Sequence, residues 1–237
     1  MESSAKKFVV ELVTGSELSP SVRSLLFRPA GGFEFAWRAG QYVELRGPEL
    51  GPKSSQPYSI ASAMGSARKT AFEIAVLRGP DTVPLHELAP GKRLGARGPL
   101  GSFTRRPATG TACVFIGTGT GLAPLRAMIQ EELEAPSGPE IRLLFGCRCE
   151  EEILWERELY ALGVRYPRFH FEPTLSQPHP GWPGRCGWVQ EHLKELVLPA
   201  ERPQVYVCGR AAMVSDCVRR LEHDVGLEQA AIFTEAI

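Results

Sequence analysis

The sequence predicts a β-rich domain followed by an α/β domain, with the join near residue 108, so that residues 1–108 and 109–237 form separate units. Two changes of rhythm carry this expectation. Through the first hundred or so residues, short apolar or alternating runs recur between clusters of Gly, Pro and Ser, the pattern of a small antiparallel barrel or sandwich. Past Arg105-Arg106-Pro107-Ala108-Thr109-Gly110, compact apolar runs alternate with stretches of helical spacing, the pattern of a parallel sheet covered on both faces. A chain of 237 residues is long enough to bury a core in each.

In order, the strand expectations of the first part are Lys7–Val13, Val22–Phe27, Tyr42–Arg46, Tyr58–Ala61 and Phe72–Leu77, separated by turn clusters such as Gly31-Gly32, Gly47-Pro48 and Gly51-Pro52-Lys53-Ser54-Ser55. In the second part Thr111–Ile116 is a strand. Leu122, Leu125, Met128, Ile129 and Leu133 follow at helical spacing. Ile141–Phe145 is the next strand and Glu150–Leu162 the next helix, which Gly163 should stop. Phe169–Glu172, Trp188–Val197, Gln204–Cys208, Ala212–Asp224 and Ala231–Thr234 continue the alternation.

Composition excludes several functions. Basic and acidic residues balance at 27 each, so no overall field draws the chain to nucleic acid or to an anionic membrane. The longest apolar stretch, around Ala112–Ile116, is far short of a membrane span, and Met1-Glu2-Ser3-Ser4 leads into a strand-like segment with no secretory signal. The cytoplasm is the expected location, and the six cysteines are expected to be reduced thiols. Their spacing fits neither zinc knuckles nor the thiolate runs that hold iron–sulfur clusters, so a one-electron relay must come from elsewhere. No Gly-x-Ser-x-Gly elbow occurs, and His86, His170, His179, His192 and His223 show no metal or nucleophile spacing. Hydrolase and metalloenzyme readings are set aside.

Chemistry gathers at two loops of the second part. Gly117-Thr118-Gly119-Thr120-Gly121 joins a strand to a helix with Pro124 in its first turn. Glycines there let backbone approach a ligand, and the helix start presents free N–H groups that suit a pyrophosphate. The spacing is neither Gly-x-Gly-x-x-Gly nor a Walker loop. Further on, Val205-Tyr206-Val207-Cys208-Gly209 ends a strand, and Met213 begins an apolar helical stripe. In an open α/β sheet ligands bind at the carboxyl ends of strands, so the loops after Ile116, Phe145, Glu172 and Cys208 should open on one edge.

Six segments in register resemble the ferredoxin–NADP reductase family, in the family's order across nearly the whole chain. They are Gln56-Pro57-Tyr58-Ser59, Gly79-Pro80-Asp81-Thr82 with Leu85-His86, Gly98-Pro99-Leu100-Gly101-Ser102-Phe103, Gly117 to Pro124, Phe145-Gly146-Cys147-Arg148, and Val207-Cys208-Gly209 with Met213. The resemblance implies a six-stranded antiparallel flavin-binding barrel holding FAD, then a parallel-sheet nucleotide-binding domain for NADPH or NADH, the two rings meeting in a groove. It implies that Tyr58 lies flat on the isoalloxazine and that Ser59 bonds near the flavin N5. Ala75, Val76 and Leu77 offer backbone groups, and Pro80, Asp81 and Thr82 reach the flavin phosphates. Gly117, Thr118, Gly119 and Thr120 cradle the nicotinamide nucleotide, with Cys208, Gly209 and Glu235 at its reacting ring. Arg148, Ser176 and Arg185 fall where relatives that choose NADPH hold its extra phosphate. Ser59, Cys208 and Glu235 are thereby the expected catalytic residues.

Two positions depart from the family pattern. Gln56 stands where arginine is usual, giving fewer donors and no charge toward the flavin pyrophosphate, unless Lys53 compensates. Ile237 falls where many relatives place an aromatic residue over the flavin. The implied activity is transfer of electrons from NAD(P)H through FAD to a separate one-electron carrier, a ferredoxin or flavodoxin. The alternatives are a free-flavin reductase or diaphorase, and a non-catalytic flavin-binding subunit.

Overall fold

The computed structural model describes residues 5–47, 50, 55–64, 71–107 and 111–237. The chain divides into two compact units, Met1–Arg105 with Arg126–Glu134, and Arg106–Leu125 with Ala135–Ile237. Residue 108, where the join is expected, and Lys53 lie outside the described residues.

The first unit carries β1 (Lys6–Ser19), β2 (Val22–Pro29), β3 (Tyr42–Arg46), β4 (Ser55–Ser59), β5 (Phe72–Leu77), the single turn α1 (Val83–His86) and β6 (Arg93–Leu100). Its six strands form one antiparallel sheet in the order β4-β3-β6-β1-β2-β5. The sheet curls until Ile60, just past β4, makes one antiparallel bridge to Ile74 of β5, closing the barrel at that point. Alternation puts Phe8, Val10 and Leu12 of β1 and Phe72, Ile74 and Val76 of β5 inside, with Phe35 and Trp37 from the β2–β3 connection. Each such side chain stabilises the unit by about 1.5–3 kcal/mol.

Two expectations shift here. The strand expected at Tyr58–Ala61 begins instead at Ser55 and contains Pro57; β4 is an edge strand, where a residue without an N–H is tolerated. Gly98-Pro99-Leu100, which opens the third of the family-like segments and is absent from the strand expectations, ends β6, between β1 and β3.

The rest of the chain carries β7 (Ala112–Thr118), α2 (Leu122–Glu134), β8 (Glu140–Cys147), α3 (Glu156–Arg165), β9 (Phe169–Leu175), β10 (Arg185–Cys186), α4 (Leu193–Leu196), β11 (Gln204–Gly209), α5 (Ala211–His223) and β12 (Ile232–Ala236). Of α2, the first turn through Leu125 belongs to the second unit. The second unit's six strands are all parallel, in the order β10-β9-β8-β7-β11-β12. Order runs outward from β7 in both directions, so the topology reverses between β7 and β11. Met213, Val214, Cys217 and Leu221 of α5, at helical spacing, cover Val114, Ile116, Val205 and Val207 on one face. Phe115, Tyr206 and Phe233 stack across β7, β11 and β12 at centroid separations of 5.4 and 4.8 Å. The buried Tyr206 hydroxyl accepts a hydrogen bond from the Arg106 N–H at 2.9 Å.

The helix expected over Glu150–Leu162 is corrected. Glu150–Glu152 form a 3-10 turn, the chain breaks, and α3 runs from Glu156 through Gly163 to Arg165. Ile153, Leu154 and Trp155 are all buried, which no single helix face can achieve, and Trp155 takes the left-handed conformation at φ +49°. Among the described residues no helix is long and apolar enough to cross a membrane.

Candidate functional site

In the first unit the segments expected at the flavin flank the barrel's seam. β4 and β5 are the two ends of the sheet order and are joined at the Ile60–Ile74 bridge, beside which Ala61 donates its N–H to the Glu73 carbonyl at 2.7 Å. Beyond that bridge they part, leaving Gln56, Pro57, Tyr58 and Ser59 on one lip and Ala75, Val76 and Leu77 on the other. The far end is spanned by the Gln56 side chain, whose Nε2 donates to the Asp81 carbonyl at 3.1 Å. The Tyr58 hydroxyl donates to Gln56 Oε1, its ring packs against the barrel core, and burial raises its pKa.

Pro80–Thr82 form a 3-10 turn directly after β5. The Thr82 hydroxyl accepts from the Gly79 N–H at 2.8 Å and donates to the Leu77 carbonyl at 2.7 Å, so it shapes the turn. The residues present fit a flavin in one respect that sequence could not show: an edge strand with unpaired length lies opposite a half-buried aromatic ring, the pairing a planar heterocycle needs.

In the second unit every residue expected at the nucleotide lies at the carboxyl edge of the sheet. Gly117, Thr118, Gly119 and Thr120 follow or end β7, and Cys208 and Gly209 end β11, so both loops flank the topological switch point. Glu235 on β12 is the register partner of Cys208. The turn is seated tightly: a Cβ on Gly121 would lie 2.4 Å from the Cys208 carbonyl oxygen and 2.8 Å from the Gly209 Cα. Gly119 has φ +54° with open space where a Cβ would stand. Two buried polar atoms there, Thr118 Oγ1 and Glu235 Oε2, have no hydrogen-bond partner among the described residues. Buried polar groups are normally satisfied, so these two fit a polar ligand at the switch point.

Electrostatics follow from burial. The Cys208 thiol is wholly buried, and burial, then the Glu235 charge, raise its pKa far above the ordinary thiol value. Burial pushes Glu235 up to about 7. The pair therefore presents a neutral thiol beside a carboxyl that titrates near neutrality.

The remaining expected residues gather at the ends of β8, β9 and β10. Ser176 donates its N–H to the Cys147 carbonyl at 3.0 Å and Gln177 to that of Arg148 at 2.8 Å, which brings the Arg148 and Ser176 turns together. Both arginines are already engaged. Arg148 bonds to Glu152 through Nε at 3.0 Å, and Arg185 bonds to Glu172 and, at 2.7 Å, to Glu195. These hydrogen bonds raise both guanidinium pKa values. Glu152 lies four residues past Arg148 in the same segment, whereas Glu172 and Glu195 reach Arg185 from other elements, β9 and α4, which no motif spacing indicates. Ile237 is exposed and donates its N–H to the Gly209 carbonyl at 3.0 Å.

The family described as the oxidoreductase NAD-binding domain matches residues 115–219. Ferredoxin–NADP reductase B of Sorangium cellulosum (strain So ce56) is 41% identical over 244 residues, covering 98% of this chain and 98% of the relative. The anthranilate 1,2-dioxygenase electron transfer component of Acinetobacter baylyi (strain ATCC 33305 / BD413 / ADP1) is 27% identical, and the match covers 96% of this chain but 66% of that protein. The crystal structure of the Amycolatopsis cytochrome P450 reductase GcoB superposes with a TM-score of 0.86 at 28% identity, over 98% of this chain and 70% of that one. With a seam-flanked barrel, a switch-point loop and a full-length match of this identity, the chain belongs to the ferredoxin–NADP reductase family.

Proposed function

We propose that this protein is an FAD-dependent NAD(P)H oxidoreductase that passes electrons from reduced nicotinamide to a separate one-electron carrier, a ferredoxin or flavodoxin. The observation that carries the reading is the switch point, where a tightly seated glycine turn, the buried Cys208 and a carboxyl titrating near 7 share one edge. The names of the Sorangium and Acinetobacter relatives support the direction of the reading. So does the absence of cluster-ligating cysteine spacing, which leaves the single-electron step to a partner.

On this reading Tyr58 covers the isoalloxazine, the Ser59 hydroxyl reaches toward its N5, and Ala75–Leu77 offer backbone polar groups. Pro80–Thr82 and Gln56 lie toward its phosphates. Bound FAD supplies the electron chemistry, taking two electrons from reduced nicotinamide and releasing them singly. Thr118, Gly119 and Thr120 hold the nucleotide's pyrophosphate. The neutral Cys208 thiol packs against the nicotinamide, and Glu235 holds or releases a proton beside it. Arg148, Ser176 and Arg185 set the preference for NADPH or NADH, and the carboxylates on both arginines weaken the claim for a 2′-phosphate clamp. All six cysteines are free thiols, which fits the reducing cytoplasm as the place of work.

The test is to desalt the protein, measure retained flavin, and follow NADPH- and NADH-driven reduction of a purified ferredoxin and flavodoxin. Retained flavin with carrier reduction supports the proposal. Lost flavin with rapid turnover of added FMN supports a free-flavin reductase, and bound flavin that neither nucleotide reduces supports a non-catalytic subunit.

A further inference from the structure

His86 is a buried histidine that the proposed chemistry does not use. It closes α1, is 7% exposed, and its Nε2 lies 3.1 Å from the Val76 carbonyl oxygen. A carbonyl only accepts, so Nε2 carries the proton and Nδ1 is the bare nitrogen of a neutral ring. Nδ1 is buried and has no hydrogen-bond partner among the described residues. Val76 is the middle residue of Ala75–Leu77, and α1 continues directly from the Pro80–Thr82 turn. The same turn is held from β2, where Arg23 donates to the Leu85 carbonyl at 3.4 Å and to that of His86. Gln56 ties the turn to β4.

We propose that His86 is a positioning residue for the flavin pocket, a latch that fixes the β5 edge against the 80–86 turn while neutral and loosens when protonated. The inference rests on the reading that these two segments hold FAD. The charged groups facing the ring are Arg78 after β5, Arg23 on β2 and Glu17 on β1. A proton on Nδ1 would add a third positive charge to one negative and create a buried donor with no acceptor. Burial first, then the Arg78 charge, lowers the pKa of His86 in the folded protein. A histidine lowered in this way contributes stability that is complete above its unfolded value of about 6.5 and is lost as pH falls through its lower folded value, and FAD, which needs the ordered edge, binds the neutral form. Acid should therefore release flavin.

The experiment uses the full-length, FAD-loaded protein and reads free FAD by its fluorescence after dilution between pH 8 and pH 5.5. For the wild type, the FAD dissociation constant should rise at least about fivefold from pH 7.5 to pH 5.5, within the tenfold per pH unit that one proton allows. In His86→Gln the amide can reach the same carbonyl with a donor that does not titrate. Its dissociation constant should stay within about twofold of wild type at pH 7.5, and the acid limb should vanish. His86→Phe fills the space without a donor and should weaken FAD about tenfold at every pH, one hydrogen bond's worth with its stranded carbonyl. Should His86→Phe fail to fold, wild type against His86→Gln still decides. An acid limb unchanged in His86→Gln, or a wild-type protein that binds FAD with a flat profile, overturns the latch alone. A wild-type protein that binds no FAD at pH 7.5 overturns the flavin site and the latch together.

Discussion

Replacing Gly121 by alanine tests the switch-point site with a single methyl group. An ideal Cβ at Gly121 lies 2.4 Å from the Cys208 carbonyl oxygen, 2.6 Å from its carbon and 2.8 Å from the Gly209 Cα. All three neighbours are backbone, so no side chain can swing aside, and the 119–121 turn must move away from β11 by about 1 Å to regain ordinary contact. Overpacking of this kind costs about 1–3 kcal/mol, and the backbone neighbours put this case at the upper end. If that cost falls on the bound state, the nucleotide dissociation constant rises about 5- to 150-fold. Gly119→Ala is the control: nothing lies within 4 Å of its Cβ, and only the conformation at φ +54° is disfavoured, by about 1–2 kcal/mol. The assay is titration of flavin-loaded protein with NADPH and NADH, with flavin content and thermal melting measured alongside. Gly121→Ala should bind nucleotide at least about tenfold more weakly, and more weakly than Gly119→Ala, while keeping its flavin. Wild-type nucleotide affinity in Gly121→Ala, or flavin lost in step with nucleotide, would refute the reasoning.

The other predictions concern charge. Glu235 has its carboxyl raised to about 7 in the folded protein. A raised acid pKa means that stability is greatest below the unfolded value of about 4.3 and falls as pH rises through 7. Glu235→Gln should flatten this loss between pH 5 and 8 in thermal melts, and should remove an ionisation near pH 7 from the rate of flavin reduction by NADPH; an unchanged profile would free Glu235 from the site. Gln56→Arg should slow flavin loss on dilution several-fold, because a guanidinium adds charge and a second donor toward the pyrophosphate. It would also break the Tyr58-to-Gln56 hydrogen bond, so unchanged dissociation with an intact fold would remove the phosphate role.

Much of the fold is legible in the sequence because burial is periodic. Phe8, Val10 and Leu12 alternate cleanly, Phe72, Ile74 and Val76 recur at every second position of β5, and Met213, Val214, Cys217 and Leu221 mark one helical face. Where residues do not alternate, the reading loses its grip. β6 is built from Arg-Leu-Gly-Ala-Arg-Gly-Pro-Leu, and only Leu94 and Ala96 join the core cluster, so nothing in it announces a central strand. At the Ile153–Trp155 break three consecutive residues are buried, a pattern that fits neither the helical nor the strand period.

For the site, motif order located both loops, and the register of β11 with β12 supplied the Cys208–Glu235 pairing. The carboxylates on Arg185 and the bond from His86 to Val76 link segments by side chains, and no local pattern encodes them, whereas the Arg148–Glu152 pair is four residues apart and legible as such.

Electron transfer here requires that one chain bind both a flavin and a reduced nicotinamide. The most direct measurement is the visible absorbance of the purified, FAD-loaded protein under anaerobic conditions, before and after one equivalent of NADPH and then of NADH. The flavin band should bleach with at least one nucleotide, to the extent of one two-electron reduction per flavin. A flavin band that persists with both nucleotides, under conditions where dithionite bleaches it, would contradict the account.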